Sequence, residues 1–124
     1  MPKLNGEQIT ALEAGLRTRR AAVVAAVHNY LHQSNDPDER CLAQTLTQGD
    51  EGAMAAMFDQ LDIAHIDHEL AELRAIDAAL ARIRSGAYGH CNGCGKAIPA
   101  ARMLAQPTAA ACLSCQQGAE RRRA

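Results

Sequence analysis

The sequence has no tryptophan, one phenylalanine (Phe58) and two tyrosines, Tyr30 and Tyr88. Large aromatic side chains supply much of the burial in thick cores, so a rounded globule of this length would be poorly filled. Hydrophobic residues make up 48% of the 124, but 26 of them are alanine, which favours helix and lets helix axes lie close together. The N-terminal MPKLNGEQIT contains no apolar run of the kind that leads a secretory signal. No window reaches the roughly 20 apolar residues of a membrane span. A soluble, cytoplasmic protein without membrane association is expected. In such a reducing compartment paired cysteines hold metal more often than they form disulfides. Also absent are a Ser/His/Asp or Cys/His set and a phosphate-cradling glycine loop, so nothing marks the chain as an enzyme.

Basic residues are missing from the middle of the chain. Between Ser34 and Glu72 lie ten of the fourteen carboxylates and a single base, Arg40. The net charge of −1 conceals this division, because Arg17, Arg19 and Arg20 precede the acidic stretch and Arg121, Arg122 and Arg123 close the chain. The middle should repel nucleic acid and suit a basic or metal-bearing partner surface.

What is present is helical periodicity. Ile9, Leu12, Leu16, Val23, Val27, Tyr30 and Leu31 recur at helical spacing and predict a first helix over Gly6 to Gln33, capped by Asn5. Pro37 in SNDPDER interrupts the pattern. DERCLAQTL reads as a short helix capped by Asp36 or Asp38, and TQGDEG as a turn. Ile63, Ile66, Leu70, Leu73, Ile76, Leu80 and Ile83 form a near-heptad stripe along a long helix from Ala53 to Arg84, stopped by Ser85-Gly86. One helix cannot hide such a stripe alone. The fold class expected is mostly α: an antiparallel coiled-coil hairpin over residues 1–84, its acidic tip at about 34–53. A small four-cysteine zinc finger with a short C-terminal helix follows over 85–124.

The finger is read from Cys91-x-x-Cys94 and Cys112-x-x-Cys115, seventeen residues apart. Two thiolates on one tight turn occupy adjacent corners of a tetrahedron about 2.3 Å from zinc, and a second pair closes the site. Gly93 and Gly95 are placed to supply unusual backbone angles in the first turn. With sulfur at all four corners no position is left for substrate, so the single zinc ion is structural. Cys41 lacks a CxxC partner and reads as a small apolar residue of the short helix. His65 and His68 stand among carboxylates, and a second metal site there would draw on His28 and His32; a solvated face is the simpler reading. His90 reads as a surface group. Arg121 to Arg123 suit a helix C-terminus.

The run ELAELRAIDAALARIRSGAYGHCNGCGKAIPAARMLAQPTAAACLSCQ resembles the C-terminal half of the DksA/TraR family of bacterial transcription regulators. The similarity extends from about Ile63 to Gln117. It includes G-x-Y-G-x-C (Gly86 to Cys91), C-G-x-x-I-P (Cys94 to Pro99) and R-x-x-A-x-P-T (Arg102 to Thr108). The resemblance implies a transcription regulator that binds RNA polymerase directly rather than DNA. It implies a coiled-coil whose acidic tip enters the secondary channel to modulate initiation, in many members together with ppGpp. The family tip carries an aspartate followed two residues later by alanine. Here Glu51 and Ala53 hold that spacing and Asp50 stands one place early; Asp36 and Asp38 mark a second acidic tip if the hairpin turns earlier. Two other readings stay open: a zinc-finger nucleic-acid-binding module using Lys96, Arg102 and the terminal arginines, and a thiol-based redox sensor.

Overall fold

The computed structural model describes residues 3–48 and 67–123. Among them are the helices α1 (Gly6–His32), α2 (Pro37–Gln48), α3 (Asp67–Ser85), α4 (Ala100–Ala105) and α5 (Leu113–Arg123), and an isolated antiparallel bridge between His90 and Ala97. No described helix is long and apolar enough to cross a membrane. The expected tip residues Asp50, Glu51 and Ala53, and the first part of the long helix with Ile63, His65 and Ile66, lie outside the described residues.

Helix α1 begins with a reciprocal cap. The Gln8 N–H donates to Asn5 Oδ1 at 2.8 Å, and the Asn5 N–H donates to Gln8 Oε1 at 3.0 Å, which satisfies two backbone donors that a helix start leaves orphaned. Leu4 lies 3.5 Å from where a Cβ on Gly89 would stand, while Arg20 pairs with Asp77.

The chain divides into two compact units, Arg17–Asp77 and the combination of Met1–Leu16 with Ala78–Ala124. In the first, Val23, Val27 and Leu31 of α1 and Leu70, Leu73 and Ile76 of α3 are buried, together with Ala43 of α2. These are the stripe positions the periodicity picks out, each large one worth about 1.5–3 kcal/mol of burial. Tyr30, at the edge of the same stripe, is exposed. Arg20 Nε donates to Asp77 Oδ1 at 2.6 Å with both side chains largely buried, whereas the Arg19–Glu72 pair is open to solvent on the arginine side.

The acidic SNDPDER stretch is used to start α2. The Asp38 N–H donates to Asp36 Oδ1 at 2.9 Å, Pro37 opens the helix, and the Ser34 hydroxyl donates to Glu39 Oε2 at 2.8 Å. Arg40, the one base of the region, donates to the Ser34 carbonyl at 2.8 Å. Cys41 is on α2 as expected but exposed and outside any disulfide; its face of the helix is not the one that Ala43 turns inward.

In the second unit Leu12, Leu16, Ala79, Leu80, Tyr88, Ile98, Ala100, Met103 and Ala109 are buried. Alanine contributes three of these nine positions, the close packing that its abundance predicts.

Candidate metal centre

The site begins where α3 stops. Gly86 takes φ +83°, its N–H donates to the Ile83 carbonyl at 3.3 Å, and the Ala87 N–H reaches back to the Arg82 carbonyl at 2.9 Å. That pair of bonds is the Schellman ending, which needs a left-handed residue at this position. The Tyr88 N–H donates to the same Arg82 carbonyl at 3.1 Å. The Tyr88 ring is buried, and its hydroxyl donates to the Pro107 carbonyl at 2.7 Å. Burial raises the phenol's pKa, opposed by the nearby Arg82 guanidinium.

The first CxxC turn is shaped by backbone bonds. Ile98 N–H donates to the Gly89 carbonyl at 2.7 Å, Cys91 N–H to Lys96 at 2.8 Å and Gly95 N–H to Cys91 at 2.9 Å. Gly95 has the positive φ (+76°) expected of it. Gly93 does not, and its role is space: a Cβ there would come within 3.1 Å of Cys115 Sγ. The Gly93 N–H also donates to Cys91 Sγ at 3.3 Å. The second CxxC turn runs into a helix, with Cys112 just before α5 and Cys115 in its first turn. The positive end of that helix favours thiolate. The Asn92 N–H donates to the Ala110 carbonyl at 2.8 Å and joins the two turns.

The sulfurs of Cys91, Cys94, Cys112 and Cys115 all lie within 4.8 Å of one another, and those of Cys94 and Cys112 are 3.9 Å apart. Four ligands about 2.3 Å from a tetrahedral centre stand about 3.8 Å from each other, so the residues fit one zinc ion with only small side-chain shifts. Among the described residues no other set of three or more ligand side chains comes together. The Cys91 thiol is pulled down to about 6, first by the Cys112 backbone N–H and then by those of Cys94 and Gly93. Cys115 is pushed up to about 12, chiefly by its contacts with the Cys112 and Cys91 sulfurs. Four clustered thiols cannot all ionise against one another. A divalent cation removes that conflict, and its binding displaces protons, that of Cys115 included.

Residues 86–121 match the prokaryotic dksA/traR C4-type zinc finger. Residues 86–121 are thus a finger of the dksA/traR type. The chain is 37% identical over 62 residues to the RNA polymerase-binding transcription factor DksA of Caulobacter vibrioides, covering 50% of this chain and 44% of that one. It is 45% identical over 53 residues to an uncharacterized protein of Aquifex aeolicus, covering 43% and 37% respectively. The chain thus spans less than half the length of these curated relatives. The solved structure of the transcription factor DksA2 from Pseudomonas aeruginosa shares its fold, with a TM-score of 0.61 at 22% identity over 96% of this chain and 88% of that one.

In this DksA/TraR finger Arg102 has a part that its place in the sequence motif does not reveal. From α4 its Nε donates to the Ala111 carbonyl at 3.2 Å, and its Nη2 donates to Gln116 Oε1. Those contacts lie immediately before Cys112 and immediately after Cys115. Gln116 in turn donates to Glu120 at 3.1 Å, one turn along α5. The guanidinium therefore holds both ends of the second ligand pair. His90 is exposed, as expected of a surface group; His68 is exposed on α3.

Proposed function

We propose that the chain binds RNA polymerase directly and modulates transcription initiation. The acidic segment around Asp50 and Glu51, with Ala53, is the part that enters the secondary channel. The reading rests on one observation, the DksA/TraR finger over residues 86–121 built around four gathered thiols. The Caulobacter relative, an RNA polymerase-binding transcription factor, supports it. So does the charge layout, since a carboxylate-rich segment is drawn toward a basic, magnesium-bearing channel and repelled by bare nucleic acid. Zinc holds the finger in shape and takes no chemical step. Coupling to ppGpp belongs to the same proposal.

The test is a pull-down with core RNA polymerase followed by in vitro transcription. The wild type is expected to bind core enzyme and to bind bare DNA little at any salt. Asp50→Asn/Glu51→Gln and Ala53→Thr are expected to keep binding and lose the effect on initiation. A wild type that ignores the polymerase, or that binds DNA with steep salt dependence, overturns the proposal.

A further inference from the structure

We infer that His28 and His32 form a second transition-metal site, separate from the cysteine cluster and open where that cluster is closed. The two residues are one turn apart on α1, the spacing that places two imidazoles on one helix face for a shared ion. Their ring centroids are 5.8 Å apart and their planes differ by 8°. A metal–nitrogen bond of about 2.0–2.1 Å puts each ring centre about 3.2 Å from the ion, so two rings on a tetrahedral ion stand about 5.2 Å apart and two on adjacent octahedral positions about 4.5 Å apart. The observed separation is wider by roughly 0.6–1.3 Å, which small changes in the side-chain torsions close.

A shared ion must lie in both ring planes, and here the rings lie parallel. One ring has to turn about its Cβ–Cγ bond, a torsion that is broad in histidine and costs little. His28 is half-buried, which restricts its side chain, and His32 is exposed and free to turn. His32 also occupies the last turn of α1, where the negative end of the helix favours a bound cation. Neutral imidazole suits zinc, copper and nickel rather than magnesium or calcium. Since the cysteines form the only larger ligand set among the described residues, the pair supplies two ligands and water completes the shell. Binding is accordingly reversible and weaker than at the finger.

The full chain, first loaded with one equivalent of zinc, is titrated with Ni²⁺ by calorimetry and by NMR of the histidine ring protons. The expected result is a second equivalent with micromolar affinity that broadens the ring signals of His28 and His32 first. His28→Gln and His32→Gln should each weaken it by at least an order of magnitude while leaving helix content unchanged, and His90→Gln and His68→Gln should leave it intact. Absence of a second equivalent overturns the inference, as does one that survives both substitutions on α1 or broadens other histidines first.

Discussion

The Arg17–Asp77 unit and the unit that carries the cysteines are held in different ways. In the first, order comes from side chains: Val23, Val27 and Leu31 of α1 and Leu70, Leu73 and Ile76 of α3 are buried, and the largely buried Arg20–Asp77 pair ties the two helices together. In the second, few large side chains are buried for the length of chain beyond α3, and order comes from backbone bonds at Gly86, Gly89 and Gly95 and from four sulfurs. A side-chain interface loses stability in increments as atoms are removed. A metal-closed loop loses its centre all at once.

The largest effect should therefore come from removing the metal. Structural zinc contributes on the order of 10 kcal/mol in small domains, so chelation or Cys112→Ser is expected to abolish fixed packing around Ile98 and Met103. The methyl signals of Leu73 and Ile76 should persist; if both sets vanish together, the contrast between the units is wrong. Acid should act in the same direction as the chelator. The unfolded thiol ionises near about 8.5, and Cys91 in the folded finger at about 6. Its stabilising contribution to the metal-free finger is complete above the higher value and is lost as pH falls through the lower one, and protons compete with zinc for the same thiolates, so acidification should weaken zinc retention.

A middle-sized effect is expected in the other unit. Leu73 is fully buried, and Leu73→Ala should cost about 2–5 kcal/mol, read as a lower denaturant midpoint. Zinc affinity measured by competition should not move. The smallest of the three sharpens the comparison within the finger. Arg102→Gln should lower zinc affinity about 10–100-fold, the range for residues that orient metal ligands. Arg102→Lys should not restore it, because an ammonium lacks the planar fork that spans Ala111 and Gln116. Equal zinc affinity in all three proteins would reduce Arg102 to a packing residue.

Much of this was legible in the residues. The limits of α1, the buried positions on α1 and α3, the stop at Gly86 and the identity of the cysteine set follow from periodicity, glycine placement and thiol spacing. The rest depends on contacts between residues far apart in sequence. Nothing local says that Gly93 is small because Cys115 is beside it, or that an arginine ten residues before Cys112 reaches its flanking carbonyl. Gln8 could have been read as the second half of the Asn5 cap, since the three-residue spacing is there. The exposure of Cys41 and Tyr30 was hidden because a stripe drawn from periodicity does not give the width of the partner it meets.

One carbonyl joins the helix to the metal site. The oxygen of Arg82 accepts from the amides of Ala87 and Tyr88 and from the Ser85 hydroxyl, so the last turn of α3 and the approach to Cys91 share an anchor. Unravelling either one exposes the donors of the other to water. Slow deuterium uptake at those two amides is thus a gauge, placed at the foot of the helix, of whether the finger is intact.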